Sequence, residues 1–168
     1  PKTPSEIQSM REGGAKIGAI LQHLLVRAEP GVSRLDIEAL ADKLIKESGG
    51  QASFRTVKGY KWATCLCVND VVVHGIPTNY LLKDGDVLTI DVGLLYKGFH
   101  TDTAWTKIVS NQQSAVSRQQ YQEIDNFLKV GEEAMWEGIA QSRAGNRVGH
   151  ISQAVQKIVE GAGYAIVK

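Results

Sequence analysis

The stretch that most constrains this chain is Gly85 to Ile108, reading GDVLTIDVGLLYKGFHTDTAWTKI. Leu88, Ile90, Val92 and Leu94 alternate with Thr89, Asp91 and Gly93, the period-two pattern of a strand with one apolar face. A second strand-like run follows, rich in Phe, Thr and Trp, and Lys97-Gly98 between them has the form of a two-residue hairpin turn. Such a turn pairs Tyr96 with Phe99 and puts Asp91 opposite Ala104. Asp102 is then the diagonal neighbour of Asp91 on the same face, with Cα atoms roughly 7–8 Å apart. Slipping the register by one residue would send the two carboxylates to opposite faces.

Carboxylates sharing one space repel each other, and Asp is disfavoured in the middle of a strand. Two readings follow. Both side chains bind divalent cations, for which a diagonal pair suits ions about 3.5–4 Å apart, or both are solvated residues on the exposed face of a hairpin. The pattern alone leaves both open.

The remaining sequence reads as one soluble globular domain of 168 residues, 43% hydrophobic and 22% charged. A net charge of +1 gives no broad field for nucleic acid or a membrane surface. No apolar run approaches transmembrane length, and the start lacks a signal-peptide layout. Cys65 and Cys67 are the only cysteines; at i, i+2 on a strand they point the same way and are poorly placed to bond each other. A reducing, cytoplasmic setting fits. The chain opens on Pro1 rather than Met, which reads as a processed or trimmed start.

Thr3-Pro4-Ser5-Glu6 predicts a helix start with Thr3 as N-cap and Glu6 closing a capping box. Ile7, Met10, Ile17, Leu21 and Leu24 then line one helix face. Ser33 and Asp36 predict a second capped start, with Leu40 and Leu44 facing inward and a stop at Gly49-Gly50. Short strands are expected at Gln51–Phe54, Ala63–Val68 and Val71–Val73. The last ends in His74-Gly75-Ile76-Pro77, where Gly75 and Pro77 restrict the backbone beside the imidazole. After a polar linker, Asn111 to Ser117, two more helices are expected over about 117–138 and 148–161. Tyr121, Ile124, Phe127, Val130 and Met135 are available for the buried side of the first, and Tyr164 to Val167 begins another strand.

The second half repeats the opening at an offset of 114 residues. Gly31, Ile37, Leu44 and Gly49 correspond to Gly145, Ile151, Ile158 and Gly163. On this reading residues 1–110 form one half and 111–168 begin a second that stops in mid-unit.

Three ordered motifs, NDVVVHGIP at Asn69–Pro77, DGDVLTIDVG at Asp84–Gly93 and GFHTDTA at Gly98–Ala104, together resemble type I methionine aminopeptidases. The resemblance covers nearly the whole chain as the N-terminal part of such an enzyme. It implies an α+β pita-bread fold, an antiparallel sheet covered by helices in two pseudo-symmetric halves around two divalent metal ions (Mn, Fe, Co or Zn). The implied activity is metal-dependent removal of methionine from the N-terminus of nascent polypeptides, which brings in the ribosome as a partner. By the same resemblance Asp91 and Asp102 are metal ligands, with Asp102 able to bridge. His74 is a catalytic residue that contacts substrate and stabilises the transition state, and Tyr60 and Cys65 line the methionine pocket. Two positions depart from the family: HGD is replaced by His100-Thr101-Asp102, expected to alter a turn near the site, and Val57 stands where an aromatic residue is common. The family's remaining ligands, a histidine and two glutamates, have no counterpart within these 168 residues, so the chain by itself is expected to be inactive. The alternative is a non-catalytic pita-bread protein that binds the ribosome or nascent chains, which would be expected to lose the aspartates.

Overall fold

In a computed structural model the described residues are 1–110 and 118–166. The expected linker, 111–117, lies outside them. The chain divides into two compact units, Pro1–Val116 and Ser117–Lys168.

The first unit begins with helix α1 (Pro4–Arg27), opened by the expected capping box: Thr3 Oγ1 accepts from Glu6 N at 3.3 Å and Glu6 Oε2 accepts from Thr3 N at 2.6 Å. Helix α2 (Arg34–Glu47) starts the same way on Ser33 and Asp36. The buried stripe of α1 is Gly13, Ile17, Ile20, Leu21 and Leu24, so it begins later than expected and leaves Ile7 exposed. On α2 the fully buried face is Ile37, Ala41 and Ile45, with Leu40 and Leu44 half-buried at its edge.

Four strands follow: β1 (Gln51–Ala52), β2 (Thr64–Val68), β3 (Val87–Tyr96) and β4 (Phe99–Ile108). All pair antiparallel to β3; β4 runs along the whole of one edge, and β2 and β1 share the other. Leu88, Ile90, Val92 and Leu94 turn one face of β3 into the helix-covered core, where each is fully buried. The alternating residues of β3 form the second face.

The expected first strand is cut short because the chain turns into a 3₁₀ helix at Ser53–Thr56. Val71–Val73 forms no strand. These residues are 43%, 71% and 64% exposed and join no ladder among the described residues, Val71 N bonding only back to Val68 O at 3.2 Å. A buried carboxylate organises the return from this segment to β3. Asp86 accepts hydrogen bonds from Asn69 Nδ2 (2.9 Å), Tyr80 Oη (2.9 Å) and Lys83 N (2.8 Å).

The second unit holds α3 (Arg118–Gln141) and α4 (Val148–Gly161). Both are displaced by 114 residues from α1 and α2 at each end: Pro4 to Arg118, Arg27 to Gln141, Arg34 to Val148 and Glu47 to Gly161. The loop glycines correspond as well, Gly31 with Gly145 and Gly49 with Gly163, all at positive φ. The repeat is therefore a repeated helical hairpin. Ala134 and Gly138 are buried on α3, and a Cβ at Gly138 would stand 3.0 Å from Val155. Tyr121 and Phe127, expected on the buried side, are exposed. Residues 164–166 are not in a strand, and Val167 lies outside the described residues. Among the described residues no helix is long and apolar enough to cross a membrane.

Replacing Asp86 with Ala should lower stability by about 2–4 kcal/mol, because three donors lose a buried acceptor together. Urea unfolding followed by circular dichroism checks this, and a loss below 1 kcal/mol (about one ordinary hydrogen bond) would argue against the role.

Candidate functional site

Lys97 and Gly98 both have positive φ, 48° and 81°, as a type I′ turn requires. That turn sets Tyr96 against Phe99, Asp91 against Ala104 and Gly93 against Asp102. Asp91 and Asp102 therefore share the face of the hairpin that points away from the core, where the Asp102 carboxyl acts on that of Asp91. Burial first, then the charge and hydrogen bond of Asp102, push the Asp91 carboxyl up from 3.8 to about 7. Asp91 is half-buried, whereas Asp102 is exposed.

Strand β2 supplies the wall beside the pair. Cys65 lies directly opposite Asp91 in the ladder, so it occupies the same face. Its thiol is 3.1 Å from Tyr60 Oη, which also donates to Thr64 O at 2.8 Å. Burial, reinforced by hydrogen bonding to Cys65, raises the Tyr60 phenol well above its usual range. Burial likewise pushes the Cys65 thiol up, with smaller contributions from the charges of Asp91, Cys67 and Asp102. Phe54 meets Tyr60 edge to face, with ring centroids 6.3 Å apart. Gly93 makes room for this: a Cβ there would stand 2.7 Å from the Phe54 ring and 2.9 Å from Ser53 Cβ.

His74 stands at φ 56°, exposed, with no hydrogen bond to its ring among the described residues. Its backbone is nonetheless fastened. Gly75 O accepts from Leu66 N at 2.8 Å, and Gly75 N donates to Cys67 Sγ at 3.3 Å. A Cβ at Gly75 would lie 2.4 Å from Leu66 O, so only glycine permits this approach. The structure thus gathers Tyr60, Cys65, Asp91 and Asp102 on one face and ties the His74 segment to the strand between them, without a direct contact from His74 to the carboxylates.

Thr101 does not alter a turn. It lies within β4 opposite Leu94 and packs toward α1, where a Cβ at Gly13 would stand 3.2 Å from its hydroxyl. Val57 is 62% exposed. Sequence reasoning gave His100 no role, yet its Nδ1 is 2.7 Å from the hydroxyl of buried Ser53, joining β4 to the 3₁₀ helix. Phe54 and Glu38 were also missed. Glu38 is only 5% exposed, but one glutamate on a charged helix carries no sign of burial in sequence.

Two oxygen donors converge here with no third His, Cys, Asp or Glu completing a cluster among the described residues. A divalent cation between them would remove the repulsion that raises Asp91, so the pair fits as a two-donor platform for a metal rather than a full coordination sphere.

Residues 8–168 match the profile of metallopeptidase family M24. The chain belongs to this family. Methionine aminopeptidase 1 of Bacillus subtilis is 34% identical over 167 residues, which is 99% of this chain and 64% of that protein. The crystal structure of methionine aminopeptidase from Rickettsia prowazekii superposes with a TM-score of 0.91 over 99% of this chain and 64% of that one, at 27% identity. The Thermotoga maritima enzyme gives 0.87 at 32% identity, covering 96% and 62%. The fold is accordingly the α+β pita-bread fold with its second half incomplete. The chain spans 64% or less of the length of these relatives.

The raised Asp91 pKa has a stability consequence in this M24 chain. Between 3.8 and about 7 the folded state holds a proton that the unfolded state has released, so stability falls as pH rises through that window. Without metal, Asp91→Asn should therefore stabilise the chain at pH 8 by about 1–2 kcal/mol, reduced from the full conversion because the pair is half open to solvent. The gain should vanish near pH 3.5 (about the lower end of carboxylate titration). Thermal unfolding with a chelator present measures it, and equal effects at both pH values would exclude the raised carboxyl. Both cysteines are free; intact-mass analysis without reductant should find two thiols and no disulfide.

Proposed function

We propose that this chain is part of a methionine aminopeptidase, acting on the N-terminal methionine of newly made polypeptides in a reducing cytoplasm. The observation that carries the reading is the placement of Asp91 and Asp102 on one face of a hairpin, beside a wall of Tyr60 and Cys65. Support comes from the relatives, which bear the name methionine aminopeptidase at 30–34% identity.

In this reading Asp91 and Asp102 would hold divalent cations, of which Mn, Fe, Co and Zn are all compatible with the donors. When bound, the cations polarise the scissile carbonyl and lower the pKa of water. Cys65 and Tyr60, with Phe54 behind them, offer an apolar and polarisable surface for a thioether side chain. Burial raises the pKa of both groups, which favours their neutral forms on this wall. In the same reading His74, exposed beside Gly75, hydrogen-bonds substrate and stabilises the transition state. The alternative of a purely binding protein is disfavoured by the cost of the carboxylate pair, which a scaffold with no metal to hold would gain by losing.

The 168 residues by themselves supply two carboxylates and, among the described residues, no third donor that could act as general base at the pair. Loss of a general base alone costs about 10²–10⁴-fold. The chain alone should therefore not turn over a Met-Ala-Ser peptide with Mn(II). Adding the remaining segment of a family member in trans should restore cleavage, and Asp102→Ala should abolish the rescue. Calorimetry should show weak Mn(II) binding that is lost in Asp91→Asn and Asp102→Asn. Binding unchanged in both variants would refute the metal assignment, and turnover by the chain alone would refute the inactivity.

A further inference from the structure

We propose that Arg34 and Glu38, one turn apart on α2, are positioning residues for the candidate site: Glu38 for the Tyr60–Cys65 wall and Arg34 for the His74 segment. The placement rests on the geometry below; its link to catalysis rests on the functional reading above.

β2 is an edge strand, and the backbone groups on its outer side need partners. The backbone groups of Thr64 and Leu66 point outward, alternating with those of Cys65 and Cys67. Among the described residues no further strand covers this edge. Thr64 N donates to Glu38 Oε2 at 3.0 Å, Leu66 O accepts from Arg34 Nη1 at 3.0 Å, and Leu66 N donates to Gly75 O at 2.8 Å. Residues four apart on a helix share a face, so one turn of α2 delivers both charged groups to the same strand edge.

Each charged group also reaches a different part of the site. Glu38 accepts from Ala63 N at 2.6 Å and Thr64 Oγ1 at 2.7 Å, and Arg55 Nη2 stands 3.3 Å away as counter-charge. Arg55 Nε in turn donates to Lys61 O at 2.9 Å, closing the 55–61 loop that carries Tyr60. Because Tyr60 Oη donates to Thr64 O and Cys65 is the next residue, Glu38 sets where both side chains stand against Asp91. Arg34 works on the other side. Its Nη2 donates to Thr78 Oγ1 at 2.6 Å, and its guanidinium lies 5.4 Å from the Tyr80 ring centroid. The same carbonyl that Arg34 grips, Leu66 O, is the atom against which Gly75 closes, so Arg34 holds the strand surface on which the His74 turn rests.

A merely structural pair would loosen the whole unit when altered, whereas positioning residues should loosen separate parts of the site. Hydrogen–deuterium exchange by NMR and site-resolved alkylation by iodoacetamide, on the full 168-residue chain, tell these apart. Glu38→Gln should speed Cys65 alkylation by about fivefold or more, the scale of one lost hydrogen bond, with Leu66 and Gly75 amide exchange unchanged. Arg34→Met should do the reverse, accelerating the Leu66 and Gly75 amides, neither of which bonds Arg34 directly, and leaving Cys65 alkylation as it was. If Glu38→Gln does not fold, Thr64→Val, which removes one partner of the glutamate at constant shape, carries that arm of the test. Acceleration of both parts by both variants, or of neither, overturns the proposal. A Mn(II) titration of the same samples separates it from the functional reading: absence of binding in the unmodified chain counts against the metal assignment, while the exchange pattern alone decides the positioning roles.

Discussion

Everything near the site depends on the register of one hairpin. The Lys97-Gly98 turn, with both residues at positive φ, forces Asp91 and Asp102 onto one face, and a slip of one residue would separate them and expose the apolar stripe of β3. That stripe, buried to completion at Leu88, Ile90, Val92 and Leu94, resists such a slip. The core thus holds two like charges together that would separate if free to do so. Burial and mutual repulsion lift the Asp91 carboxyl to about 7, a displacement that favours either a proton or a cation at the same place.

The surroundings are built so that this pair is not rescued by a neighbouring lysine or arginine. Among the described residues the ion pairs lie elsewhere: Arg55 serves Glu38 and Asp42, Lys97 serves Glu12, and Lys43, Lys46 and Lys129 pair within their own helices. The groups that face Asp91 across the ladder are a thiol and, next to it, a phenol, both pushed toward their neutral forms by burial. On the proposed reading this surface takes an apolar side chain beside the carboxylate pair; the chain's membership of metallopeptidase family M24 is consistent with that reading.

Two buried carboxylates serve a different end. Asp86 collects backbone and side-chain donors from a loop, and Glu38 from the loop residue Ala63 and the outer edge of β2 at Thr64. Chain segments without regular structure still carry a donor and an acceptor at each residue, and a carboxylate with several lone pairs can satisfy several of them at once. The exposed, unpaired course of Val71–Val73 is tolerable because Asp86 on one side and the Leu66–Gly75 contact on the other hold its ends.

Much was determined by sequence alone, because it depends on local pattern. The period-two run, the Lys97-Gly98 turn, the capping boxes at Thr3 and Ser33, and the 114-residue repeat each involve residues close in the chain or a regular recurrence, and each reappears in the structure. The aspartate pair belongs with them, since hairpin arithmetic places it. Tertiary structure decided whatever depended on a distant partner. Val71–Val73 has strand-like residues but no strand, because β propensity acts only where a ladder is available. Glu38 and the Ser53–His100 contact could not be foreseen, since burial is conferred by residues 25 and 47 positions away in sequence. Tyr121 and Phe127 stayed exposed although their spacing suits a buried face. Periodicity specifies which side chains share a side of an element, and only packing decides which side is covered.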